Sequence, residues 1–255
     1  MKRLIFVLGT GRSGTHLMGR TIGSHPLVED HIEDPDYFYL AVRIATIQDI
    51  GNPFYLYVQK KRLIRKYRSL VKKSSSNFIL EKTHPNIWLA EELMKQFPNA
   101  LFVGIIRDAY QTVSSMLKHS GVMSWYSQLP QHKPNRFLGI TEENKSFFAS
   151  LPIEAKCTYR WISHKQELER LKEVLGNRYV MMHYDEFVKN PQEHICRLSE
   201  FLGIDKGFQP EAIKLESLQK WKKYLSDDQL AIIDSTIEGT ISESQTTRIY
   251  GHPHQ

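Results

Sequence analysis

The stretch Arg3-Leu-Ile-Phe-Val-Leu-Gly9-Thr-Gly11-Arg12-Ser13-Gly14-Thr15-His16-Leu-Met constrains this chain more than any other, because an apolar run breaks into a glycine-rich loop that opens a helical pattern. The order predicts a strand over 3–9, a helix over 14–24 and, between them, a loop that cradles an anion. Glycines at 9, 11 and 14 permit a tight turn and close backbone approach, so successive N–H groups and a helix N-terminus can converge on one point. The loop departs from the nucleoside-triphosphate pattern, in which a lysine follows the second glycine and the next hydroxyl holds Mg²⁺. Thr15 stands in the place of that lysine, His16 in the place of that hydroxyl, and Arg12 is the loop's only cation. An anion site that works without a metal is the expectation.

A second unit follows at Leu101-Phe-Val-Gly-Ile-Ile-Arg107-Asp108-Ala-Tyr-Gln-Thr-Val-Ser114-Ser115: an apolar strand, an arginine at its carboxyl end, and a helix carrying Ser115 two turns on. Arginine offers a fork of donors matched to phosphate, and Ser115 falls on nearly the same helical face. Together the two units resemble the sulfotransferases that use 3′-phosphoadenosine 5′-phosphosulfate (PAPS, product PAP). That resemblance implies a single domain over 1–255 with a three-layer α/β fold, a central parallel sheet of the P-loop NTPase-like type. It also implies that Gly11, Arg12, Ser13, Gly14, Thr15 and His16 hold the 5′-phosphosulfate, with Arg12 on the bridging oxygen, while Arg107 and Ser115 grip the 3′-phosphate. Leu17 replaces a tryptophan that stacks on adenine in the cytosolic branch, so adenine must pack differently.

Alternating short apolar strands and helices independently argue for a parallel sheet covered on both faces, with ligands beyond the carboxyl ends of the strands. After the first strand and helix, the pattern predicts helices over 36–50 and 55–73, a strand over 78–82 and a helix over 86–96. A strand over 100–106 and a helix over 108–119 come next. An irregular excursion over 120–150, a long helix over 151–175, a strand over 179–184 and a helix reaching 203 follow. Two short helices are expected around Lys220-Trp221-Lys222-Lys223, a basic segment loosely similar to one that sulfotransferases bring over the cofactor. Arg12, Lys82 and Arg107 then share one rim.

Two residues compete for the base that takes the acceptor's proton. Glu33 ends His25-Pro-Leu-Val-Glu-Asp-His-Ile-Glu33, which resembles tyrosylprotein sulfotransferases and bacterial relatives whose carboxylate base stands at this distance from the His-Pro pair. His84 lies in Lys82-Thr83-His84, similar to the cytosolic branch, where lysine contacts the sulfuryl group and histidine is the base. Either chemistry can work, since histidine titrates near neutrality and burial raises a carboxylate. The acid-rich run around Glu33 also reads as a solvated loop.

The net charge of +6 is local: without Lys60, Lys61, Arg62, Arg65, Lys66, Arg68, Lys72 and Lys73, 26 basic residues face 28 acidic ones. Leu63, Ile64, Tyr67, Leu70 and Val71 fall at helical spacing, so 55–73 reads as an amphipathic helix with a cationic outer face. Cys157 and Cys196 form neither a disulfide framework nor a metal-ligand spacing, which predicts a reducing, cytoplasmic setting. No stretch approaches the ~18 apolar residues of a membrane span. The expected activity is transfer of a sulfuryl group to an acceptor hydroxyl on a sugar, phenol, lipid or metabolite, anionic acceptors included, with no metal and no nucleic acid. The rivals are a P-loop small-molecule kinase, which needs the absent loop lysine, and a non-enzymatic protein binding anionic surfaces through the basic helix.

Overall fold

A strand buried on both faces needs an unbroken apolar run, and Leu4 through Leu8 supplies one, each residue at most 3% exposed. In the computed structural model, which describes residues 2–205, 207–210 and 215–249 and side chains through 240, this run is β1 (Arg3–Leu8). It lies at the centre of a five-stranded sheet with the spatial order β2-β3-β1-β4-β5. The other strands are β2 (Val28–Ile32), β3 (Phe78–Lys82), β4 (Leu101–Ile106) and β5 (Tyr179–His183), and every pairing is parallel. All five strands therefore end at one rim.

The helices that cover the sheet are α1 (Thr15–Gly23), α2 (Pro35–Ile47), α3 (Pro53–Lys73), α4 (Ala90–Gln96), α5 (Ala109–Leu117) and α6 (Ser120–Gln128), followed by α7 (Ile153–Leu175), α8 (Tyr184–Lys189), α9 (Pro191–Leu202) and α10 (Asp227–Ile249). One layer packs α2, α3 and α7 on Phe6, which stacks on Phe102 at 5.5 Å and meets Tyr67 edge-on at 5.4 Å. The opposite layer sets α1, α8 and α9 on Ile5, Val7, Val103 and Ile105. This is the expected α/β architecture. None of the helices among the described residues is long and apolar enough to cross a membrane.

The structure corrects several local expectations. Residues 28–32, read as part of an acid-rich loop, form the edge strand β2; its side chains are only half-buried, and charges suit an edge that must not recruit further strands. The expected helix over 86–96 begins with a 3₁₀ segment, His84–Leu89, because Pro85 sits where the first turn forms. Helix α3 starts two residues early, since Asn52 Oδ1 accepts from the N–H groups of Phe54 and Tyr55 and Pro53 fits the first helical position. The excursion over 120–150 contains α6 and an antiparallel bridge between Asn135 and Ile140. It is pinned to the body by Asn135 Nδ2 on Thr46 O at 3.1 Å and by Arg136 on Asp49 at 2.8 Å. Near the carboxyl end, a 3₁₀ segment, Leu215–Lys223, precedes the 23-residue α10, where two short helices were expected.

At the end of β3 the core accepts a carboxylate. Glu81 is fully buried; the Thr83 hydroxyl and Asn86 Nδ2, at 2.6 Å, donate to its two oxygens, and the hydroxyl of buried Tyr67 joins them. Burial nevertheless pushes this carboxyl from its ordinary 4.5 up to about 7. Between those two values the folded protein holds a proton that the unfolded chain has released, so stability falls as pH rises through the window. The thermal midpoint of the wild type should therefore drop between pH 5 and pH 7.5 more steeply than that of Glu81→Gln. Parallel melting curves for the two proteins across this range would show that Glu81 does not titrate there.

Candidate active site

The rim draws on the carboxyl end of every strand: Arg12 follows β1, Glu33 follows β2, Lys82 closes β3, Arg107 follows β4 and Tyr184 follows β5. The loop after β1 is held from within. Ser13 is fully buried, and its hydroxyl donates to Thr10 O at 2.7 Å, which turns its side chain inward. Gly14 caps α1 at φ 95°, and a β-carbon there would stand 2.3 Å from the Tyr184 ring. Gly11 passes over His84, leaving 3.3 Å between a β-carbon and Nε2. The first helical bond of α1 runs from Met18 N–H to Gly14 O at 3.0 Å, so the N–H groups of Thr15, His16 and Leu17 precede the ladder at its positive end.

Arg12 and Glu33, at φ 78° and 50°, are the two non-glycine residues with positive φ among the described residues. Each such conformation costs about 1–3 kcal/mol and persists only when its surroundings enforce it. Arg12 Nε donates to Ser115 Oγ at 3.1 Å, which joins the loop to α5 and brings Ser115 beside Arg12 as well as near Arg107. Glu33 continues the β2–β3 ladder, its N–H donating to Lys82 O at 2.9 Å. That bond aims its carboxylate across the rim.

Three sequence-predicted residues meet at that carboxylate. Lys82 Nζ donates to Oε1, His84 Nδ1 lies 3.5 Å from the same oxygen, and His16 Nε2 lies 3.3 Å from Oε2. Lys82 Nζ also stands 3.1 Å from His16 Nδ1. Burial by itself would raise the Glu33 pKa, but the hydrogen bonds from His16 and His84 and the Lys82 charge outweigh it and hold the carboxyl far below the usual range. Burial pulls Lys82 down, opposed by Glu33. Burial also pushes His84 down to about 4, so its ring is neutral at pH 7. The two candidate bases thus share one site, linked through Lys82.

Arg107 stands across the loop. Its backbone carbonyl accepts from Trp161 Nε1 at 2.9 Å, and its side chain is braced by Gln111 Oε1 at 2.9 Å and Ser217 O at 3.3 Å, with the guanidinium 4.2 Å over the Tyr184 ring. Burial lowers its pKa, yet it remains cationic at neutral pH. It lines a cleft of about 300 Å³ together with Ser115, Lys118, Tyr184, Lys220 and Trp221. Trp221 stacks on Tyr110 at 4.9 Å and 21°, which presents a flat aromatic wall there. Of the residues lining this cleft, the sequence marked Arg107, Ser115 and, loosely, the Lys220-Trp221 segment; Lys118 and Tyr184 carried no such signal. The signal for the late segment was its alternation of lysine and tryptophan.

The family model described as "Sulfotransferase family" matches residues 4–210. No curated protein sequence is detectably similar to the chain. Among solved structures, the sulfotransferase domain from the curacin biosynthetic pathway aligns at TM-score 0.57 and 15% identity over 92% of this chain and 97% of its own. A sulfotransferase from Alicyclobacillus acidocaldarius aligns at 0.53 and 15%, over 93% and 96%. A mouse sulfotransferase complexed with PAP aligns at 0.52 and 17%, over 97% and 87%. These likenesses establish the fold, of the P-loop-like sulfotransferase type. With the family model spanning most of its length, from the first strand to beyond α9, the chain belongs to the sulfotransferase family.

Proposed function

We propose that this protein transfers a sulfuryl group from PAPS to an acceptor hydroxyl, with Glu33 as the base. The observation that carries the reading is the Glu33–Lys82–His16–His84 cluster, set against a phosphate-type loop whose cation is Arg12. The residues also suit the donor's nucleotide half. Arg107 and Ser115, with Lys118 and Lys220 beside them, would receive the 3′-phosphate, and the Trp221 wall offers a face for adenine that Leu17 cannot supply. The mouse relative with PAP supports the same donor class.

When bound, the donor supplies an activated sulfonate whose bond to a phosphate oxygen is the one that breaks. Thr15 and His16 offer backbone N–H groups to the phosphate, and Arg12 holds the charge that gathers on the bridging oxygen. Lys82 has two roles: paired with Glu33 it keeps the carboxylate acidic, and turned toward the sulfonate it stabilises that group and releases Glu33. Glu33 then takes the acceptor's proton at the carboxylate, while His16 and His84 orient it. His84 is the alternative base, favoured by a neutral ring whose buried Nε2 has no hydrogen-bond partner.

PAP should bind equally well with and without a chelator, and more tightly than ATP, in calorimetric titrations. Loss of binding in the chelator would return the assignment to a kinase. Arg107→Ala should weaken PAP by about 1.5–3 kcal/mol, roughly ten- to hundredfold, and should weaken adenosine 5′-phosphosulfate, which lacks the 3′-phosphate, far less. Equal losses for both ligands would assign Arg107 to the fold. With a working acceptor, Glu33→Gln should lower turnover by ~10² or more with PAP affinity nearly unchanged, and His84→Asn should cost less. The reverse ranking would make His84 the base.

A further inference from the structure

We propose that the acceptor taken by this site carries a carboxylate, which lodges behind His84 and pairs with the buried guanidinium of Arg160. The inference rests on the sulfotransfer reading of the same site and names its acceptor class.

Arg160, on α7, is 0% exposed. Nη1 donates to Phe137 O at 2.6 Å, while Nε and Nη2 have no hydrogen-bond partner. Those two nitrogens form the side-on edge of the guanidinium, the edge that a carboxylate bridges with two parallel hydrogen bonds. No carboxylate is among the groups that act on its charge; the partners are the Tyr126 hydroxyl and the Cys157 thiol, both neutral because burial raises their pKa values. Phe137 and Trp125 face the guanidinium at 4.0 and 4.7 Å. Two aromatic faces compensate a buried cation only in part, because desolvating a full charge costs more than cation–π contact returns.

Arg160 adjoins the catalytic cluster, whose His84 feels its charge. Trp125 is a wall common to both sites, its ring 6.1 Å from that of His84, whose Nε2 is buried without a hydrogen-bond partner. On the far side, His164 Nδ1 lies 2.8 Å from Arg160 O and donates to it, leaving Nε2 bare, and the buried Trp88 Nε1, on a ring 4.9 Å from His164, is bare as well. Unsatisfied polar atoms of Arg160, His164 and Trp88 thus gather against an aromatic box whose Trp125 wall also faces His84. Such atoms are rare in folded interiors unless something completes them. An acceptor with its hydroxyl at Glu33 and its carboxylate on the Arg160 edge would do so, after Trp125, on the short and partly exposed α6, turns aside.

The test uses the full chain loaded with PAP, titrated by calorimetry and tryptophan fluorescence with 4-hydroxyphenylacetate, 3-hydroxybenzoate, 3-hydroxybutyrate and the methyl ester of each. At least one acid should bind tenfold or more tightly than its ester; Arg160→Met should abolish the preference, and Arg160→Lys should keep part of it. PAP affinity and the melting curve report whether each variant folds. If Arg160→Met does not fold, Trp125→Ala takes its place, and it should tighten the acids selectively by uncovering the guanidinium. Equal binding of acids and esters, binding of neither, or a preference that survives in the folded Arg160→Met protein or ignores Trp125→Ala overturns the proposal and leaves buried water as the completion of Arg160. Loss of PAP binding in the wild type would instead strike at the donor assignment, whatever the acids do.

Discussion

The ion pair between Lys82 and Glu33 is the interaction on which the rest of this site depends. Lys82 is wholly buried, and an ammonium in that position is tolerable only with an opposite charge against it. Glu33 supplies the charge from a neighbouring strand, and the left-handed turn of its backbone directs the carboxylate inward. Everything else at the rim is arranged around the pair: His16 and His84 on the carboxylate, the glycine loop above His84, and Arg12 on the loop's outer side. Breaking the pair on one side leaves a buried charge on the other, so its natural partner in the working protein is a group that can exchange with Glu33 for the lysine.

Parallel topology makes this convergence possible. Five strands running the same way deliver five carboxyl ends to one edge, so residues distant in sequence become neighbours without any long loop. Arg12 and Ser115 belong to different strand-to-helix units and meet at 3.1 Å. The helix that follows each strand starts at the same rim, which adds oriented N–H groups to the cations. Opposing the cationic side at Arg12 and Arg107, the aromatic side formed by Phe38, Trp125 and Phe137 makes a drier face at His84. The site is thus polarised, charged where a nucleotide would lie and aromatic where an acceptor would lie.

Much of this was legible in the sequence because glycine loops and apolar strands are local signals. Leu4–Leu8 and Phe102–Ile106 announced central strands, and Arg12 and Arg107 marked their ends. β2 was not legible: an edge strand needs no apolar alternation, and Glu29, Asp30 and Glu33 look like loop residues until the pairing with β3 is seen. Likewise α6 is a short helix whose stability comes from packing Val122 and Tyr126, which composition alone does not reveal. Glu81 and Arg160 are the extreme cases. Charged residues in helical or strand patterns read as solvent-facing, and only the three-dimensional neighbours, Tyr67 and Asn86 for one and Trp125 and Phe137 for the other, show that both are interior.

The left-handed backbone at Arg12 sets this protein's evolutionary latitude. A glycine there would relax the backbone by about 1–3 kcal/mol, against the ~0.5–1 kcal/mol by which glycine ordinarily weakens a folded chain, whereas at Glu33 the same change would strand the buried Lys82 charge. Selection for stability alone would therefore drift toward glycine at position 12 and keep Glu33. Persistence of Arg12 in a lineage is a sign that something other than folding is being selected. A copy of this sequence that has lost its chemistry should be recognisable by that position first, while the glycines of the loop and the apolar strands beneath it remain in place to hold the fold.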